Sequence, residues 1–381
     1  MKRTAVIATT LLAVFFLTSG GSANAQRNSL PQRVEVAFVL DTTGSMRHLI
    51  EGAKRKIWSI ANTIVDHNAN ADIRMALVGY RDFGDEYVVK TRAMTSDLDK
   101  LYGELLQFSA DGGGDQPEAV NEALNAAISK LHWTPGDDTV RLVFLVGDAP
   151  PHMDYNGPQY PEILSNAVSR DIVVNAVQAG RNAQTRRSWQ EIALLGGGDF
   201  IPIPQDGGSI VVIETPYDSD IIILQREIDR TVVPYGSDRR MKELQAKLAR
   251  KAQAESSVML DASRYYSKRS SNRSASAGPA PVVVGRGDLV SDFVRRMDGK
   301  LTLNVEDLPD ILKEKSEAER MVYLQDLAVK RRDLQTKMAQ LITKRDRFVA
   351  SERLRQDKPA ADSFDRAVER TITKVLKRRE S

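Results

Sequence analysis

"VEVAFVLDTTGSM", residues 34–46, carries a nearly unbroken apolar run into an aspartate and then, within four more positions, two threonines, a glycine and a serine. A short run of this kind, rich in Val and lacking helical spacing, predicts a strand buried on both faces. Its ending needs a separate explanation. Asp41, Thr43 and Ser45 follow the pattern D-x-T-x-S, which aims a carboxylate and two hydroxyls at one point from a tight loop that Gly44 eases. A hard divalent cation takes such oxygen ligands, and Mg²⁺ in particular keeps some positions for water. The plainer alternative is that Thr43 or Ser45 caps the helix that follows.

The same alternation continues outward. "IRMALVGY" (73–80), "TVRLVFLVG" (139–147) and "DIVVNAVQAG" (171–180) are further apolar runs, whereas residues 46–66, 96–108, 117–132, 160–169 and 186–195 have helical spacing. "EYVVKT" (86–91) follows a strand too closely for a crossover helix and reads as an antiparallel edge strand. "DFIPI" (199–203) supplies a sixth strand and residues 218–233 a closing helix. The expected class is α/β: a doubly wound, mostly parallel six-stranded sheet with helices on both faces, followed by a mainly helical C-terminal extension.

Two more loops bear on Asp41. "SADGGGDQPEAV" (109–120) presents Asp111 and Asp115 around three glycines just before a helix, and "FLVGDAPPH" (144–152) ends another strand on Asp148. In a parallel sheet, ligands collect beyond the carboxyl ends of the strands, so all three loops belong to one end of the fold. Helix capping does not account for three such loops. "DTTGSM", "GGGDQPEA" and "LVGDAPPH" together resemble the von Willebrand factor type A domain and its metal-ion-dependent adhesion site, over roughly residues 33–233. The resemblance implies that Asp41, Thr43, Ser45 and Asp148 hold a divalent cation, Mg²⁺ before Mn²⁺ or Ca²⁺. It implies also that the ion captures an Asp or Glu carboxylate from a protein partner. Many members place a threonine in the second motif; this chain offers Asp115, taken as the ligand, and Gln116. Asp82, Asp111 and His152 are candidates for the rim or for outer support.

An enzymatic reading, a metal-dependent hydrolase, finds little here. The four histidines show no ligand spacing, H-E-x-x-H and G-x-S-x-G are absent, and "DGGGDQ" lacks the Lys and Ser/Thr of a phosphate loop. His152 alone lies near the proposed site.

The chain's ends read differently from its middle. Lys2 and Arg3, an apolar stretch and Ala23-Asn24-Ala25 form a signal-peptide pattern, so cleavage after Ala25 and a periplasmic or secreted location are expected. No later segment is apolar enough to span a membrane. Residues 1–237 hold 21 Lys/Arg against 29 Asp/Glu, and residues 238–381 hold 33 against 22, so an acidic front carries a basic tail. Its cations are interleaved with Glu and Asp, and export argues against nucleic acid as a partner. The tail divides into a helical segment (238–266), a Ser/Gly/Ala/Pro-rich linker (267–287) and a helical region (288–381). Leu327, Leu334 and Leu341, seven apart, with Leu324 and Met338 alongside, predict a helical hairpin or short coiled coil over 308–348 and self-association through it. Arg286-Gly287-Asp288 spells the tripeptide integrins recognise, a triplet common by chance. A structural scaffold that acts through this tail is the third reading of function.

Overall fold

A computed structural model describes residues 33–114, 116–208, 212–271, 287–295, 304–355 and 363–380. Six strands form one sheet: β1 (Arg33–Asp41), β2 (Asp72–Tyr80), β3 (Val89–Thr95), β4 (Thr139–Gly147), β5 (Ile172–Ala179) and β6 (Gly197–Ile203). Their spatial order is β3-β2-β1-β4-β5-β6, all parallel except β3. The order reverses between β1 and β4, the place where open sheets of this type receive ligands. The edge strand starts three residues later than the apolar pattern suggests, because residues 81–88 form a loop between β2 and β3 whose two ends meet, Arg81 N–H donating to Val88 O.

Both faces of the sheet are covered. Val34, Val36, Phe38 and Leu40 of β1 point into one core with α1 (Arg47–His67) and α2 (Leu98–Leu105). Ala37 and Val39 point into the other, with α3 (Val120–Asn125), α4 (Tyr160–Ser169) and α5 (Ala183–Leu195). The helix expected over 117–132 begins at Val120, and its last turn, Ala126–Lys130, is a π-helix. α1 buries Leu49, Ile50, Ala53, Ile57, Ile60, Ala61 and Ile64 at the three-to-four spacing of an apolar stripe, and Trp58, Asn62 and Val65 beside it.

Beyond α6 (Asp218–Asp229) follow α7 (Asp238–Gln253), α8 (Ser256–Ser271), α9 (Leu289–Arg295), α10 (Asp310–Lys313), α11 (Glu317–Arg355) and α12 (Phe364–Glu380). α8 and α12 pack directly on α1. Tyr265 and Tyr266 meet Trp58 with centroids 5.4 and 5.6 Å apart, and Phe364 meets Phe38 edge-on at 6.4 Å. Phe364, Val368, Ile372 and Leu376 are buried in the same core as β1, each worth about 1.5–3 kcal/mol of burial. The C-terminal helices therefore complete the sheet's cover on that face.

α11 is one continuous helix of 39 residues where the leucine spacing predicts a helical hairpin or short coiled coil, so the hairpin does not form within it. Its buried stripe is Leu324, Ala328, Arg331, Leu334, Met338, Ile342 and Arg345, while Leu327 and Leu341 are only partly buried. The stripe packs on α6, α8 and α9 of the same chain. Two arginines lie in that seam because each has an acid opposite: Arg345 Nε donates to Asp218 Oδ1 at 2.9 Å, and Arg331 meets Asp288 at 2.6 Å. Asp288 is thus buried in an ion pair, with its own carboxylate already occupied. Among the described residues, no helix is long and apolar enough to cross a membrane. The signal-peptide pattern, Arg286 and most of the expected linker lie outside the described residues.

Candidate metal centre

β1 and β4 run side by side with Leu40 opposite Val146, so their next residues bring Asp41 and Gly147 together and Asp148 just beyond. Asp41 is fully buried. Its Oδ1 accepts from Thr43 N at 2.8 Å and from Thr43 Oγ1 at 2.6 Å, and Thr43 Oγ1 lies 3.3 Å from Ser45 Oγ. Thr43 orients the carboxylate with its two donors and keeps the lone pairs of its hydroxyl oxygen; neither it nor Met46 makes a side-chain cap on the following helices. The D-x-T-x-S loop is therefore an oxygen cluster, with the capping alternative unused.

Asp41 Oδ2 has no hydrogen-bond partner although no solvent reaches it. Burial, and then the neighbouring charge of Asp148, push the Asp41 carboxyl up to about 7 against the pull of the Thr43 bonds. Gly147 permits this approach: a Cβ there would meet Tyr80 Oη at 2.4 Å and Asp41 Oδ2 at 3.2 Å. Asp148 is itself oriented, its Oδ2 accepting from Gln205 Nε2 at 2.6 Å and its carbonyl from Thr185 Oγ1 at 2.9 Å.

The glycine loop lies across this pair. Gly44 N–H donates to Gly112 O at 3.1 Å, and Asp111 N–H to Thr42 O at 3.1 Å. Arg81, buried, ties the underside by donating to Thr42 O and Ser109 O. Gly113 has φ +73°, and a Cβ on it would fall 2.7 Å from Thr43 Cβ. Gly113→Ala is accordingly expected to cost about 1–3 kcal/mol through backbone strain and this clash, read as a lower melting temperature.

The candidates named from the sequence separate clearly. Asp41, Thr43, Ser45 and Asp148 come together, whereas Asp115 lies outside the described residues. Gln116 is exposed and accepts from Asn182 Nδ2 at 3.1 Å. Asp111 is exposed, and its Oδ1 accepts from Gly112 N at 2.9 Å. Asp82 and His152 form a pair of their own, Oδ1 to Nε2 at 2.7 Å, on the rim.

Glu118 is the residue sequence reasoning missed. Its backbone is stitched to the Asp148 loop, Glu118 N–H to Pro150 O and His152 N–H to Glu118 O, which turns its side chain inward. It is 3% exposed, its Oε2 is unpartnered, and its Oε1 lies within 3.3 Å of where a Gly113 Cβ would be. Burial, then Asp41, Asp82, Asp148 and Asp85, push its carboxyl up to about 9. Among the described residues, no three His, Asp or Glu side chains converge tightly enough to chelate an ion unaided. The donor set is two close carboxylates and two hydroxyls, with a third buried carboxyl at hand. Such a set fits a hard cation that completes its shell with water or a ligand oxygen.

Residues 35–205 match the family model of the von Willebrand factor A domain. The chain is 30% identical over 199 residues to an ariadne-like RING finger protein of Acanthamoeba polyphaga mimivirus, covering 48% of this chain and 19% of that protein. It is 35% identical over 181 residues to von Willebrand factor A domain-containing protein 7 of Homo sapiens, covering 44% and 18%. With alpha-protein kinase vwkA of Dictyostelium discoideum the figures are 28% over 156 residues, 36% and 24%. The match thus spans roughly a fifth of the length of these relatives. Solved structures with similar folds include the VWA domain of SpRpn10, 11% identical with a TM-score of 0.35, covering 46% of this chain and 89% of that one. Another is proximal thread matrix protein 1 from the mussel byssus with a zinc-occupied MIDAS motif, 16% identical with a TM-score of 0.33, covering 46% and 43%. The matched segment, residues 35–205, takes in nearly all of the sheet, its order reversal and the loops that carry Asp41, Glu118 and Asp148, and it is this segment that is similar to the von Willebrand factor A domain.

Proposed function

We propose that this domain binds a divalent cation, Mg²⁺ before Mn²⁺ or Ca²⁺, and uses it to capture a carboxylate of a protein partner. Asp41, Thr43, Ser45 and Asp148 hold the ion, with Asp115 as a further ligand from the glycine loop. The observation that carries the reading is Asp41 Oδ2: a buried carboxylate oxygen without a donor, facing a second carboxylate. Leaving such an atom unpaired is costly, and a cation between the two acids removes both the deficit and the repulsion. Two carboxylates and two hydroxyls leave positions to water, and an Asp or Glu from outside can displace one. The protein works in the periplasm or outside the cell, as the signal-peptide pattern implies.

The role is binding. His152, the one histidine close to the site, is engaged by Asp82 at 2.7 Å and lies 3.5 Å from Asp154, an arrangement that ties two loops together. Calorimetric titration of Mg²⁺, Mn²⁺ and Ca²⁺ into chelator-treated protein is expected to give saturable one-site binding. The same titration of Asp148→Ala should lose most of that heat. An unaltered isotherm in the variant, or none in the wild type, removes the ion from the function.

A further inference from the structure

Two surfaces of this chain are complementary but lie against opposite faces of its sheet. The first is the rim beside the candidate metal centre. Phe83 is 50% exposed and Met153 43%. The Phe83 ring packs on His152 at 5.4 Å and on Tyr155 at 5.9 Å, and Tyr155 is bonded to Glu122 of α3. Carboxylates surround this apolar patch: the side chains of Asp154 and Glu86 are 83% and 73% exposed. Arg81, which reaches Glu86 at 3.4 Å, is itself buried.

The second surface is the end of α11. Leu354 is 85% exposed, more than any other large apolar side chain among the described residues. Arg353 and Arg355 flank it, both exposed. Arg353 lines a cavity with Ser59 of α1 and Glu369 of α12, on the face of the sheet away from α3. The end of α11 therefore meets the rim only on another molecule.

We propose that the Arg353-Leu354-Arg355 end of one copy docks on the Phe83–Met153–Tyr155 rim of a second copy. Leu354 covers the apolar patch, and the two guanidiniums face Asp154 and Glu86 and lie over the aromatic rings. The division of charge between the acidic front and the basic tail favours the same pairing. The contact is heterologous, so each copy keeps one free rim and one free tail, and association proceeds to rings or open chains. A contact of so few residues is a weak one, formed in concentrated, low-salt solution. No ion takes part, so it stands or falls apart from the metal reading.

The test is sedimentation velocity of the full chain from low micromolar to millimolar concentration, in Mg²⁺ and in EDTA. The wild type should sediment faster as concentration rises, equally in both buffers, and revert to monomer in high salt. Phe83→Ala and Leu354→Ala should each remain monomeric. Mixed, they should form dimers and nothing larger, because only the intact tail of one and the intact rim of the other can pair. Asp154→Arg and Arg355→Glu, each weaker alone, should restore assembly when combined. A wild type that stays monomeric throughout, variants that assemble as it does, or a mixture without dimer overturns the proposal.

Discussion

Replacing Asp41 with asparagine is expected to move two measurements in opposite directions. Saturable Mg²⁺ binding should disappear, while the chelator-treated variant should melt about 2–5 °C above chelator-treated wild type. The first effect follows from the proposed binding, because the substitution removes the carboxylate that Thr43 orients and Asp148 faces. The second follows from what Asp41 costs without an ion: a buried carboxylate beside another, with Oδ2 unpartnered. Asparagine keeps an oxygen for the Thr43 N–H and presents an amide donor where the unpaired oxygen was, so repulsion becomes a hydrogen bond. With saturating Mg²⁺ the order should reverse, because only the wild type gains stability from the ligand. A variant that melts lower than wild type in chelator, or binds Mg²⁺ as tightly, removes Asp41 from the site. Thermal scans of both proteins in EDTA and in Mg²⁺ decide the matter in one experiment.

What the sequence discloses here depends on how far apart the cooperating residues are. Asp41, Thr43 and Ser45 fall within five positions at the end of one strand, so backbone geometry alone unites them. Asp148 is over a hundred positions away, yet it sits at the end of an equally legible strand, and parallel topology brings it to the same edge. Glu118 has neither advantage. It precedes a helix, where an acid ordinarily serves the helix dipole from the surface. Only the pairing of its backbone with Pro150 and His152 sends the side chain inward, and no local pattern encodes that pairing. The heptad leucines of the tail mislead for a related reason. The buried stripe of α11 shares Leu324, Leu334 and Met338 with the apolar spacing but runs on through Arg331 and Arg345, which hydropathy assigns to solvent, and leaves Leu327 and Leu341 only partly buried.

Arg331 gives the largest expected loss of stability. Its side chain is wholly buried, and all five N–H groups find acceptors: Thr231 Oγ1 and O, both oxygens of Asp288, and Ser291 Oγ, at 2.6–3.3 Å. Arg331→Met should lower the unfolding free energy in urea by about 3–5 kcal/mol, because Asp288 then stays buried without its counter-charge, keeping only the Val233 N–H and Ser291 hydroxyl donors. Adding Asp288→Asn should recover more than half of that loss. The amide still accepts from Val233 N, which Asp288 Oδ1 meets at 3.3 Å, and it no longer carries the stranded charge. The recovery separates a charge penalty from a packing defect, since a cavity at position 331 would persist in the double variant. It also bears on Arg286-Gly287-Asp288 as a recognition tripeptide. If Asp288 were free to leave its ion pair and face a partner, Arg331→Met would cost little and the second substitution would add nothing. The two outcomes differ by several kcal/mol, well beyond the uncertainty of a denaturant extrapolation.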